Sequence, residues 1–225
     1  MPRSATPVLL ILMGLPGLLS LPVLPGVPRW AVLLNPLILL VICAFAGQFA
    51  ARRCGLHLRA PAATPASRLA QAAAGVLLGF VLAVADHSAR SWWQAGPGLP
   101  PSVVEGWSLA ALPLGVLYGG VVEEVILRWG VMSLLLLLLR RILPRWEAAL
   151  FLAILLAALL FAALHLPALA ASGAPLEGGV MARTLLLNTV AGSFFGTLFA
   201  RRDLLAAMLA HAAAHLGFAA AALLA

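Results

Sequence analysis

The chain has 225 residues, of which 64% are hydrophobic and only 9% charged, and its mean hydropathy is +1.08. Soluble domains carry about a quarter charged residues, so that class is excluded, and continuous apolar runs exclude a β-barrel, whose strands alternate. The net charge of +7 does not point to nucleic acid, because all fourteen basic residues are Arg and they cluster in short loops between apolar runs, where topology explains them.

Seven hydrophobic runs follow one another at 7–28, 30–50, 69–90, 106–139, 147–172, 178–200 and 203–225. They predict an all-α fold, a polytopic transmembrane bundle of about seven spans, with no room for a separate soluble domain. The whole chain reads as a single membrane domain. Residues 1–104 hold three spans without motifs, and 105–225 hold a catalytic core of spans four to seven. The first run contains Pro16, Pro22 and Pro25 and lacks a clear small-residue cleavage site. It reads as a retained, kinked span rather than a signal peptide. Cys43 and Cys54 form no zinc pattern and no disulfide framework. Asp86 and His87 fall near the outer end of the third run, where an interfacial location explains them. Trp92, Trp93 and Trp107 flank the loop that follows, as interfacial aromatics do. Three runs carry a GxxxG pair, Gly75/Gly79, Gly115/Gly119 and Gly192/Gly196, a spacing that lets helix backbones approach or arises by chance in a Gly- and Ala-rich chain.

The arginines orient the bundle. Arg3, Arg52, Arg53, Arg59, Arg68, Arg140, Arg141, Arg145, Arg201 and Arg202 fall on one side, against Arg29, Arg90 and Arg183 on the other. The positive-inside rule then predicts a cytoplasmic N-terminus and an external C-terminus.

Ionisable groups inside spans are costly and mark function by default. Here they are Glu123, Glu124 and Arg128 in span four, His165 in span five, and His211 and His215 in span seven; Asn188 in span six is the polar companion. Glu124 and Arg128 are four apart and share a helix face, which predicts an ion pair. Glu123 has Leu127 four residues on and no cation in its own turn. A carboxylate so placed in a low dielectric suits a general base. His211 and His215 also share one face. With His165 they form a candidate zinc set, or a metal-independent cluster that holds water.

Counted from the arginine loops, Glu123, His165 and His211 would lie at about 25, 30 and 14 Å depth at 1.5 Å per residue. They share a level only if the arginine-rich end of span four projects from the bilayer as a hairpin with the start of span five, and span five continues past Pro167 with a kink. Span four, at 34 residues, is long enough for this.

Three stretches carry a family resemblance: "EEVILR" at 123–128, "FAALH" at 161–165 and "HAAAH" at 211–215. In order and spacing they resemble the CPBP family of glutamic-type intramembrane proteases, which includes CAAX prenyl endopeptidases and Abi proteins. The resemblance covers about residues 105–220. It implies that Glu123 activates a hydrolytic water and that Glu124 supports the site with Arg128. It further implies that His165 and His211 bind the water, metal or oxyanion, and that Phe161 shapes the pocket. His215 departs from the family's usual Asn or Asp. As an oxyanion donor or a metal ligand it leaves zinc an open alternative to metal-independent chemistry. Asn188 is a second candidate oxyanion donor, with helix packing as its other reading.

The function this implies is intramembrane endopeptidase. The partner would be a peptide or protein substrate at the lipid bilayer, either prenylated or carrying a C-terminal sorting helix. A Glu/His-based transporter and a non-catalytic immunity or scaffold protein are the alternatives. No repeat of broken helices favours the first of these, and the intact motif residues disfavour the second. The size, the absence of Lys and the Ala/Arg/Leu richness read as a small prokaryotic inner-membrane protein from GC-rich coding.

Overall fold

Prolines and small polar residues set the helix ends. The computed structural model describes residues 5–23, 25–93, 99–171, 173 and 176–225, so Arg3 of the arginine count lies outside them. Helix α1 (Thr6–Leu19) starts on Pro7 and stops at Ser20, well short of the expected 28. Pro22 lies just beyond, and Arg29 donates to Leu19 O and Leu21 O at 2.7 and 2.6 Å, tying off the end of the helix. Helix α2 (Arg29–Arg53) is followed by Gly55 at φ +69°, the left-handed residue that ends many helices. Helix α3 (Pro65–Ser88) opens with a reciprocal capping box between Thr64 and Ser67, with Pro65 in its first turn.

After the one-turn helices Arg90–Trp93 and Val103–Gly106 and the 3-10 turn Leu109–Ala111, the chain enters α4. This helix has π winding over Leu114–Glu123 and Val125–Met132 and α winding over Ser133–Ile142. Ser133 Oγ donates to Arg128 O, five residues back, in keeping with the wider turn. Helices α5 (Trp146–Ala171), α6 (Gly178–Arg201) and α7 (Leu204–Leu224) complete the bundle, and α5 runs through Pro167 unbroken. The described residues form no strand.

Each of the seven expected runs holds a helix, but length and hydropathy mark only α2, α3, α5 and α7 as membrane spans among the described residues. The 14 residues of α1 reach about 21 Å, less than a bilayer core of about 30 Å. The middle of α4 carries Glu123, Glu124 and Arg128, and α6 carries Arg183, Thr184, Asn188, Thr189, Ser193 and Thr197.

Small residues seat the helices. A side chain at Gly75 or Gly79 would strike the Ala210 or Ala214 backbone, and one at Gly217 would strike Val76 and Phe80, so α3 and α7 cross at backbone contact. Gly192 meets Ala158, and Gly196 meets Ile154 and Met132, which seats α6 on α5 and α4. Val122, Val125, Trp129, Met132, Phe195, Phe199 and Leu204 are fully buried or nearly so between these helices. Trp129 Nε1 donates to Ala44 O at 3.2 Å, joining α4 to α2.

Two polar latches close the ends. At one end Asp203 caps α7 by accepting from Ala206 N at 2.8 Å. It also takes Ala60 N at 2.7 Å and both guanidinium nitrogens of Arg68 at 2.6 Å. The arginine loops meet there: Arg140 donates to Arg53 O at 3.3 Å, and Arg201 pairs with Glu147 at 3.1 Å. At the other end stands Asp86, near the last turn of α3 as expected. It is fully buried, held by Arg183 through two 2.5 Å bonds, and accepts from Val103 N at 2.7 Å. An aspartate 97 residues from its arginine carries no local signal of that pairing.

Burial by itself raises the Asp203 carboxyl, but the Arg68 guanidinium and the Ala60 and Ala206 amides outweigh it and hold it below the usual carboxylate range. With its folded value depressed, Asp203 stabilises fully above the unfolded value near 3.8, and that contribution is lost as pH falls through the folded value. Detergent-solubilised protein should therefore lose melting temperature on that acid limb, and Asp203→Asn should flatten the limb. An unchanged limb in the variant would show that the latch contributes nothing.

Candidate active site

Helices α4, α5 and α7 bring Glu123, Glu124, Arg128, His165, His211 and His215 together, and α6 packs beside them. On α4, Glu124 and Arg128 are buried, with Arg128 Nη1 3.3 Å from Glu124 Oε1. No hydrogen bond forms between them, and Glu124 Oε2 and Arg128 Nη1 lack any hydrogen-bond partner, so charge rather than hydrogen-bond geometry holds the pair. The other arm of the guanidinium donates to Gly192 O on α6 at 3.2 Å. The Phe161 and Phe195 rings flank it, with centroids at 4.8 and 5.7 Å.

Glu124 has a second partner that spacing does not reveal. Its Oε1 lies 2.8 Å from His211 Nδ1 on α7. A carboxylate accepts, so His211 carries its proton on Nδ1 and turns Nε2 the other way. That Nε2 lies 4.0 Å from Glu123 Oε2. The two adjacent glutamates thus face the two nitrogens of one imidazole. Glu124 is closed off, whereas the Glu123 side chain is 21% exposed and Glu124 is 0%.

His165 on α5 is half-buried, with Nδ1 2.8 Å from Phe161 O. A carbonyl only accepts, so this bond also puts the proton on Nδ1 and leaves Nε2 unprotonated in the neutral ring. Phe161 meets His165 edge-on at 4.7 Å and His211 edge-on at 6.0 Å, so one buried ring spaces both histidines. Phe195 stacks on His211 at 4.4 Å, His215 stacks on its other side at 5.5 Å, and Phe218 caps His215 at 5.3 Å. His165 and His211 both lie within electrostatic range of His215.

The Gly115/Gly119 pair does not serve helix approach as Gly75/Gly79 does. A side chain at Gly115 would run into the His215 ring. A Cβ on Gly119 would sit 3.1 Å from His215 Nε2 and 3.3 Å from His211 Nε2. Both Nε2 atoms therefore converge on the bare backbone of Gly119. Sequence reading missed this use of the pair. It also missed Phe195, because nothing in its spacing links α6 to a histidine on α7.

Asn188 donates from Nδ2 to Thr184 O on its own helix at 2.8 Å. Among the described residues no three His, Cys, Asp or Glu side chains converge as a metal-holding group. The expected set of His165, His211 and His215 resolves into two stacked rings on α7 and one ring on α5 whose Nδ1 bonds to its own helix.

A buried carboxylate–arginine pair that orients an imidazole, with a second, accessible carboxylate facing the imidazole's far nitrogen, is an arrangement for moving the proton of a bound water. Comparison with curated proteins and with solved structures finds no match. Residues 105–217 match the family model for Rce1-like type II CAAX prenyl endopeptidases, which covers half of the chain and all three motif stretches. The chain is thus a multi-pass membrane protein that belongs to the Rce1-like family of CAAX-type intramembrane endopeptidases.

Proposed function

We propose that the chain hydrolyses a peptide bond near the C-terminus of a membrane-anchored protein, with Glu123 as general base. The observation that supports this most is the split of the glutamate pair across His211: Nδ1 on Glu124 at 2.8 Å and Nε2 towards Glu123 at 4.0 Å. Water held between Glu123 and the lone-pair Nε2 of His165 attacks the scissile carbonyl carbon, and its proton passes to Glu123. The carbonyl oxygen becomes an oxyanion in the gap over Gly119. His215 donates to it from Nε2, and His211 does so when its ring carries both protons. Collapse breaks the C–N bond, and Glu123 returns the proton to the leaving amine. Every step uses the chain's own groups and one water. In this reading the bundle is embedded in the bilayer, with the arginine-rich end cytoplasmic.

The test is cleavage by the purified protein in lipid vesicles. One substrate is a farnesylated peptide ending in a CAAX sequence, and the other is a peptide with a C-terminal apolar helix; mass spectrometry reads the fragments. Cleavage of one identifies the substrate class, and cleavage of neither ends the proposal.

In the same assay Gly119→Ala should lower kcat/KM by about 10–100-fold, because its methyl enters the gap that both Nε2 atoms face. Adding His215→Asn, whose shorter side chain retracts, should recover part of that loss. A Gly119→Ala protein with full activity would remove the gap from the mechanism.

A further inference from the structure

The first 85 residues contain no acidic side chain, yet Arg52, Arg53, His57 and Arg59 crowd the end of α2 and the loop after it, and Arg68 follows in the first turn of α3. The acids that reach this end are engaged: Asp203 by Arg68 and Glu147 by Arg201. Arg53 lies over the Phe49 ring and donates to Phe49 O at 3.0 Å. The Arg52 and His57 side chains make no hydrogen bond or ion pair among the described residues. Topology and the C-terminal dipole of α2 explain why arginines stand here. They do not explain the space beside them.

That space is a cavity of 420 Å³ lined by Arg52, His57, Gln48, Thr6, Leu58 and Trp129, among others. A second cavity of 550 Å³ shares Gln48 and Arg52 and continues along the outer face of α2 past Phe45, Phe49 and Arg53. Phe45 and Phe49 are 54% and 52% exposed on a helix long and apolar enough to span the membrane, so this second cavity opens towards lipid. A basic seat that runs into an aromatic groove along a spanning helix matches an amphiphile with an anionic head.

We propose that this end of the α1–α2 pair binds an anionic phospholipid, its phosphate between Arg52 and His57 and an acyl chain along Phe45 and Phe49. Arg52, His57, Phe45 and Phe49 all lie outside the matched family segment, and the site is independent of the proteolytic reading.

Native mass spectrometry of the purified chain, offered equal phosphatidylglycerol and phosphatidylcholine, tests it. Phosphatidylglycerol should be retained in preference, and Arg52→Gln/His57→Gln should erase a preference of about 5-fold per basic group. Arg141→Gln, an exposed arginine outside both cavities, should leave the preference intact. Phe45→Ser keeps both charges and should still weaken phosphatidylglycerol retention. Equal retention of the two lipids, or a preference that survives the double substitution, overturns the proposal. Saturable binding of inorganic phosphate alone would assign the seat to a free anion and overturn it equally.

Discussion

Glu123→Gln is expected to lower cleavage by about 10²–10⁴-fold, the range a general base supplies, with membrane insertion and melting temperature unchanged. The second half of that expectation follows from the geometry. Glu123 is only half-buried, and the His211 Nε2 that faces it is 4.0 Å away. An amide of the same shape leaves the helix packing as it was and removes only the ability to take a proton from water. Glu123→Asp, which draws the carboxylate back by one carbon, should fall between the two. A glutamine variant with wild-type kcat would falsify the assignment of Glu123 as base, while the family membership would stand on the sequence match.

Glu124→Ala should fail differently, losing stability and activity together. It strands a guanidinium that is 1% exposed and removes the Glu124 oxygen that accepts from His211 Nδ1. Breaking one side of a buried pair costs about 3–5 kcal/mol, enough to shift unfolding in detergent by many degrees. Glu124→Gln divides the two effects. Its amide oxygen can still accept from His211 and hold the Nδ1–H form, but it no longer neutralises Arg128. It should therefore lose stability like the alanine variant and keep more kcat per folded molecule. If Glu124→Ala melts like wild type, the buried triad of Glu124, Arg128 and His211 is not what holds α4 to α7.

The alternation of apolar runs and arginine loops determined the helical bundle, because a chain with so few charges has no other way to satisfy its backbone in lipid. The i, i+4 spacing determined the Glu124–Arg128 pair, since both ends lie on one helix. The same spacing placed His211 and His215 on one face, where their rings stack. The end of α1 was misread as a longer span. Hydropathy runs on through Leu21 and Val23, whereas Pro22 and the Arg29 tether end the helix at Leu19.

Contacts between helices were decided only by the tertiary structure. The hydrogen bond of Glu124 to His211 joins residues 87 apart, and the Asp86–Arg183 latch joins residues 97 apart, so no local period encodes either. The Gly115/Gly119 pair shows the limit most sharply. Its spacing matches that of Gly75/Gly79, yet one pair meets alanine backbone and the other meets two imidazoles. A glycine specifies that something comes close; what comes close is chosen by the helix packed against it. The sequence thus determined which polar groups the helices carry, and packing decided which nitrogen faces which carboxylate, because burial and orientation come from residues far along the chain.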